Sequence, residues 1–208
     1  TSTAASHQRT FVVEVMGRHC GYLPLMAAVA GGADYVFTPE DPAGPGWQDE
    51  LAEHLRLGRE AGRRESIVLV AEGAHDREGN ELSTQLIADT IQERTGEDAR
   101  VTILGHVQRG GTPSAYDRWM STLLGYAAVQ EILASTAEDE PVILGVRRNR
   151  ITRIPLMKAV HDTRAVKDLI AAGDYAAAQA SRGSSFSSMV GINQILSTPP
   201  QLTPEPTG

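Results

Sequence analysis

What the sequence lacks narrows the possibilities first. Its 208 residues contain one cysteine, Cys20, so no intrachain disulfide can form and a reducing compartment is expected. It lacks an excess of positive charge. A formal net charge of −7 argues against nucleic acid or an anionic membrane as main partner. Any anionic ligand must then be held by a local cluster of Arg and His. No apolar run approaches the roughly 20 residues needed to span a bilayer, and no signal-peptide pattern opens the chain. There is no Gly-x4-Gly-Lys-Ser/Thr, no Gly-x-Gly-x-x-Gly, no His-Glu-x-x-His, no paired-cysteine motif and no Gly-x-Ser-x-Gly. There is no internal repeat. There is also no initiator Met, and a strand-like run begins within ten residues of the start, so the chain is expected to be a piece of a longer protein.

What is present reads as a globular α/β protein. Apolar residues make up 41% and charged residues 22%, enough for a real core. Strand-like runs at Thr10–Val15, Asp34–Thr38, Ser66–Ala71, Arg100–Leu104 and Pro141–Val146 alternate with helical patterns. Those patterns are Tyr22–Ala30, stopped by Gly31-Gly32, then Trp47–Gly62, Ser83–Arg94 with Ser83 as cap, and Ser114–Ser135. The near-continuous apolar strands predict a three-layer, open, mostly parallel sheet with helices on both faces. After about Arg150 the pattern changes to helices at Pro155–Ala172 and Asp174–Arg182 with no strand between them. A Ser- and Pro-rich end follows. The expected division is an α/β lobe over 1–152, a helical connector over 153–190 and a flexible linker over 191–208.

In an open parallel sheet, ligands bind at the carboxyl ends of the strands. Met16-Gly17-Arg18-His19 follows the first strand, Glu72-Gly73-Ala74-His75 the third, and Gly105-His106-Val107-Gln108-Arg109-Gly110-Gly111 the fourth. Arg18, Glu72, His106 and Arg109 could therefore converge. The arginines suit bidentate binding of phosphate, and Glu72 suits accepting hydrogen bonds from hydroxyls, a combination that fits a sugar phosphate. The helix beginning near Ser114 would add backbone N–H groups. Plainer roles stay open: a surface ion pair for Arg18, and a solvated carboxylate or a salt bridge to Arg18 for Glu72. The acidic run at 136–140 reads as a solvated loop rather than a metal site.

Four stretches resemble the ATP-dependent 6-phosphofructokinase family, in the family's order: Thr10–Leu23, Gly31–Glu40, Val70–Ala74 and Leu104–Arg118. The resemblance implies the rear part of the catalytic N-terminal half of a eukaryotic, fungal-like tandem enzyme, followed by the connector between halves over Arg153–Phe186. It implies phosphoryl transfer from ATP to fructose 6-phosphate in glycolysis, in the cytoplasm, by an allosteric homo-oligomer of tetrameric or larger size. By the same resemblance, Met16, Gly17 and Arg18 touch the sugar phosphate, with Arg18 catalytic beside the transferring phosphoryl group. Glu72 accepts from a sugar hydroxyl, and His106, Val107, Gln108 and Arg109 form the 6-phosphate loop. Arg9 and Arg100 reach the sugar site of a neighbouring subunit. The family's Gly-Gly-Asp-Gly-Ser loop for ATP and Mg2+, and its catalytic base, do not occur in these residues. Two alternatives accompany this expectation: a non-catalytic half that senses a fructose bisphosphate, and a pyrophosphate-dependent relative.

Overall fold

The computed structural model describes residues 9–199, which form two compact units. The first holds the residues up to Gln108 and those from Leu169 on, and the second holds Arg109–Asp168.

The first unit is built on a four-stranded parallel sheet. Up to Gln108 its helices and strands are, in chain order, β1 (Thr10–Val15), α1 (Tyr22–Gly31), β2 (Tyr35–Phe37), α2 (Trp47–Glu60), β3 (Ser66–Ala71), α3 (Thr84–Thr95) and β4 (Ala99–Ile103). The strand order is β2-β3-β1-β4, so β1 lies in the interior of the sheet between β3 and β4. Apolar residues on both sides of β1 and β3 bury against two cores. On one face Val12, Val68 and Val70 meet Leu51 and Leu55 of α2 and Ile87 and Ile91 of α3. On the other, Val15 and Leu69 meet Ala28 of α1. Each fully buried Leu, Ile or Val contributes about 1.5–3 kcal/mol relative to an exposed one. The expected three-layer parallel architecture is therefore present.

Local signals set the helix ends. Ser83 caps α3, its hydroxyl accepting from the Leu86 N–H at 3.2 Å. Gly32 closes α1 in the left-handed conformation at φ 68°, as expected of a helix stop.

The second unit departs from expectation. Its long helix α4 (Ala115–Ala134) is followed by β5 (Val142–Arg147) and β6 (Arg150–Pro155). β5 does not extend the parallel sheet. It pairs antiparallel with β6, from Val142 opposite Pro155 to Arg147 opposite Arg150. Arg148 and Asn149 make the turn at φ 50° and 58°, both left-handed, which matches the right-handed twist of a two-residue hairpin. β6 lies in a stretch expected to be connector, so the expected boundary at 152 falls inside this hairpin.

Three helices follow: α5 (Leu156–Ala171), α6 (Tyr175–Ser181) and α7 (Ser184–Ser197). α7 packs with α1 in the first unit. Residues 191–197, expected to be flexible linker, are helical instead. Residues 200–208 of that expected linker lie outside the described residues. Among the described residues no helix is long and apolar enough to cross a membrane.

Candidate functional site

Strand register brings three loops to one edge. Val15 is the partner of Ala71, so Met16 and Glu72 leave the sheet side by side. The Glu72 N–H confirms the register by donating to the Val15 carbonyl at 2.9 Å. On the other side of β1, Glu14 pairs with Ile103, so β4 stops one residue earlier. The chain then folds into a 3-10 turn over Gly105–Arg109, and this turn carries Gln108 back to β1.

Two side chains fix the loop after β1. The Met16 N–H donates to Gln108 Oε1 at 2.8 Å. The N–H groups of Gly17 and Arg18 donate to Glu72 Oε2 at 3.2 and 3.0 Å. Arg18 is held at φ 54°, a left-handed conformation uncommon for a residue with a side chain. Glycine is required beside it. A Cβ on Gly17 would lie 2.4 Å from the Cys20 carbonyl oxygen, and one on Gly73 would lie 2.6 Å from the Arg18 carbonyl oxygen. Arg18, His106, Val107, Gln108 and Arg109 are exposed, while Met16, Gly17 and Glu72 are half-buried.

Met16, Gly17, Arg18, Glu72 and Gln108 are thus linked directly by hydrogen bonds, and His106 sits in the same turn as Gln108. Arg109 ends the turn and is the first residue of the second unit. Sequence reasoning missed that Glu72 and Gln108 hold loop amides. The only prior signal was their position just past strand ends.

The start of α4 does not offer the open set of N–H groups expected of it. Ser114 and Asp117 form a capping box there. The Ser114 hydroxyl accepts from the Asp117 N–H at 3.2 Å, and Asp117 Oδ2 accepts from the Ser114 N–H at 2.7 Å. The cap places a carboxylate where an anion would sit.

Arg9 and Arg100 stand at the opposite edge, before β1 and at the start of β4. Both pair with Asp98, at 3.2 and 3.0 Å, so two cations share one carboxylate on an exposed surface. Burial pushes the Cys20 thiol above its ordinary pKa, the Glu40 carboxylate adding to the effect, so the thiol stays protonated at neutral pH. Among the described residues no three His, Cys, Asp or Glu side chains come together to hold a metal ion.

Residues 1–132 match the family model described as Phosphofructokinase. The ATP-dependent 6-phosphofructokinase of Aspergillus niger is 49% identical over 185 residues, covering 88% of this chain and 24% of that protein. The liver-type ATP-dependent 6-phosphofructokinase of Homo sapiens is 45% identical over 196 residues, covering 94% and 25%. The solved structure of phosphofructokinase from Saccharomyces cerevisiae superposes with a TM-score of 0.85 at 46% identity, covering 91% of this chain and 26% of that one. A pyrophosphate-dependent phosphofructokinase from Nitrosospira multiformis shares the fold, with a TM-score of 0.61 at 22% identity, covering 76% and 42%. The chain spans about a quarter of the length of the curated relatives it matches.

Proposed function

This chain belongs to the phosphofructokinase family, and on that premise we propose that the protein carrying it phosphorylates fructose 6-phosphate with ATP. The products would be fructose 1,6-bisphosphate and ADP. ATP is preferred to pyrophosphate as donor because the relatives at 45–49% identity are ATP-dependent by name, whereas the likeness to the pyrophosphate-dependent protein is one of fold.

The observation that carries this reading is the Met16–Arg18 loop, fastened at the sheet edge by Gln108 and Glu72 and leaving Arg18 exposed beside the turn that bears His106. In the reaction the sugar 1-hydroxyl oxygen bonds to the γ-phosphorus while the bond from phosphorus to the ADP oxygen breaks. The hydroxyl proton passes to a base outside these residues. Charge spreads over the equatorial oxygens of the moving group, and catalysis rests on positioning and charge stabilisation. Arg18 offsets that charge. His106 and Arg109, with Val107 and Gln108 shaping their turn, hold the 6-phosphate. Met16 and Gly17 line the sugar, and the Glu72 carboxylate takes a sugar hydroxyl besides its work on the loop amides. Arg9 and Arg100 serve the sugar site of a neighbouring subunit in a homo-oligomer. The enzyme would work in the cytoplasm, in glycolysis, under allosteric control, with Mg2+ carried by ATP on ligands elsewhere in the protein.

The test is steady-state kinetics of the full-length protein with fructose 6-phosphate and either ATP or pyrophosphate. Turnover with ATP is expected, and Arg18→Ala should lower kcat by about 10²–10³-fold. An unchanged kcat in that variant would remove Arg18 from the chemistry. Turnover with pyrophosphate alone would overturn the assigned donor.

A further inference from the structure

The Met16–Arg18 loop is held from a second side, by a residue far along the chain. Arg182, the C-cap residue just after α6, donates through Nε to Glu40 Oε1 at 2.8 Å and through Nη2 to the His19 carbonyl at 2.6 Å. Glu40 has no solvent exposure at all, and the Arg182 side chain is 20% exposed. Both Glu40 oxygens also accept from the Gly21 N–H, at 3.2 and 2.9 Å. Gly21 is the N-cap of α1 and has no side chain of its own with which to cap. Glu40 therefore caps α1 from a distance, with its negative charge at the positive end of the helix dipole. No bulkier residue fits at position 21, where a Cβ would lie 2.6 Å from the Thr38 side chain and 2.8 Å from Glu40 Oε2.

These contacts bracket Arg18. Upstream, its own N–H and that of Gly17 are held by Glu72. Downstream, the His19 carbonyl is held by Arg182, and the Gly21 N–H by the Arg182-paired Glu40. The residue between these anchors has the left-handed backbone, which persists only where its surroundings over-determine it. A buried ion pair adds little net stability, so Arg182–Glu40 is better explained by orientation than by strength. Arginine suits this task because its planar fork can grip a carboxylate and a carbonyl at once, whereas lysine offers a single point charge.

We propose that Arg182 is a positioning residue for phosphoryl transfer, acting through His19 and Glu40 to hold the Arg18 backbone in its left-handed conformation. The proposal rests on the reading of Met16–Arg18 as the sugar-phosphate loop. It gives the helical segment after the second unit a direct part in the site.

The test uses the full-length protein with Arg182→Lys, Arg182→Ala and Glu40→Gln. Hydrogen exchange read by mass spectrometry accompanies kinetics in fructose 6-phosphate and ATP. Arg182→Lys keeps the charge against Glu40 and should keep the fold. Its kcat should fall about tenfold, and that of Arg182→Ala about 10²-fold, as expected for misplacement by roughly an ångström. The KM for ATP should stay within about twofold. Exchange should quicken in peptides covering 17–21 and stay unchanged in β3. Folded Arg182→Lys with parental kcat and parental exchange at 17–21 would overturn the proposal. So would exchange that rises evenly across the sheet, which is the mark of a merely structural role. If the parent protein itself fails to turn over fructose 6-phosphate, the proposed function falls, and exchange at 17–21 alone decides whether Arg182 holds the loop.

Discussion

Gly73 and Gly79 both have positive φ, 80° and 89°, yet they differ in what surrounds them. A Cβ on Gly79 meets nothing within 4 Å, whereas one on Gly73 would strike the Arg18 carbonyl at 2.6 Å and His19 Nδ1 at 3.0 Å. Gly79→Ala should therefore cost only the backbone strain, about 1 kcal/mol, and leave kcat alone. Gly73→Ala should cost about 1–3 kcal/mol and also displace Arg18, lowering kcat by tenfold or more. Urea denaturation and steady-state kinetics of the two variants check this, and equal kcat values would show that the loop tolerates displacement. At this scale the sequence reveals a residue's type and its place after a strand, and so Arg18, Glu72, His106 and Arg109 could be named as candidates in advance, while Gly17 entered only through the family resemblance. Glu40 and Arg182 could not, because a bond between residues 142 positions apart leaves no local pattern. Glu40 reads as a turn residue after a proline, and Arg182 as a helix-end cation.

Among the elements, the seam between β1, α2 and the turn before β4 is closed by one ionic cluster. Arg59 of α2 donates through Nε and Nη2 to the two oxygens of Glu97, both at 2.8 Å, and the buried Thr10 hydroxyl donates to Glu97 Oε2 at 2.9 Å. The Arg59 hydrogen bonds, helped by Thr10, hold the Glu97 carboxyl below its ordinary pKa against the opposing effect of burial. A carboxylate with a depressed folded pKa contributes stability that is full above its unfolded value, about 4.3, and is lost as pH falls through the folded value. Glu97→Gln should therefore destabilise the protein by about 1–2 kcal/mol at pH 7, and the gap to the parent should close as pH drops below about 4. Urea midpoints across pH test this, and a gap that stays constant with pH would show that Glu97 acts through packing alone. The parallel sheet was legible because Phe-Val-Val and Ile-Val-Leu-Val are apolar on both faces, as strands covered by two helical layers must be. The β5–β6 hairpin was not. Arg150-Ile-Thr-Arg-Ile alternates as a strand does, but its turn is Arg148-Asn149 rather than a glycine pair. The run also leads straight into α5, whose helical pattern hid it.

For the whole molecule, the question is what 208 residues can do alone when they span about a quarter of their relatives. α4 is informative here. Its apolar residues point outward on several sides: Trp119 is 50% exposed, Tyr126 66%, Ile132 72% and Leu133 76%, and Met120 alone is buried. A helix apolar on several sides is normally covered. β4 ends the sheet among the described residues, with Ile103 62% exposed at the last position of the strand. Neither the ATP loop nor the base that the family resemblance calls for occurs in the chain. The isolated chain should therefore hold its parallel sheet, bind an apolar dye such as anilinonaphthalene sulfonate, and self-associate at micromolar concentration, while the full-length protein does neither of the last two. It should also show no ATP-dependent turnover of fructose 6-phosphate at any concentration. Dye fluorescence, light scattering and a coupled kinase assay on the purified chain decide the matter. ATP-dependent turnover by the isolated chain would place the donor site and the base inside these residues after all, and would require the division of labour along the protein to be redrawn.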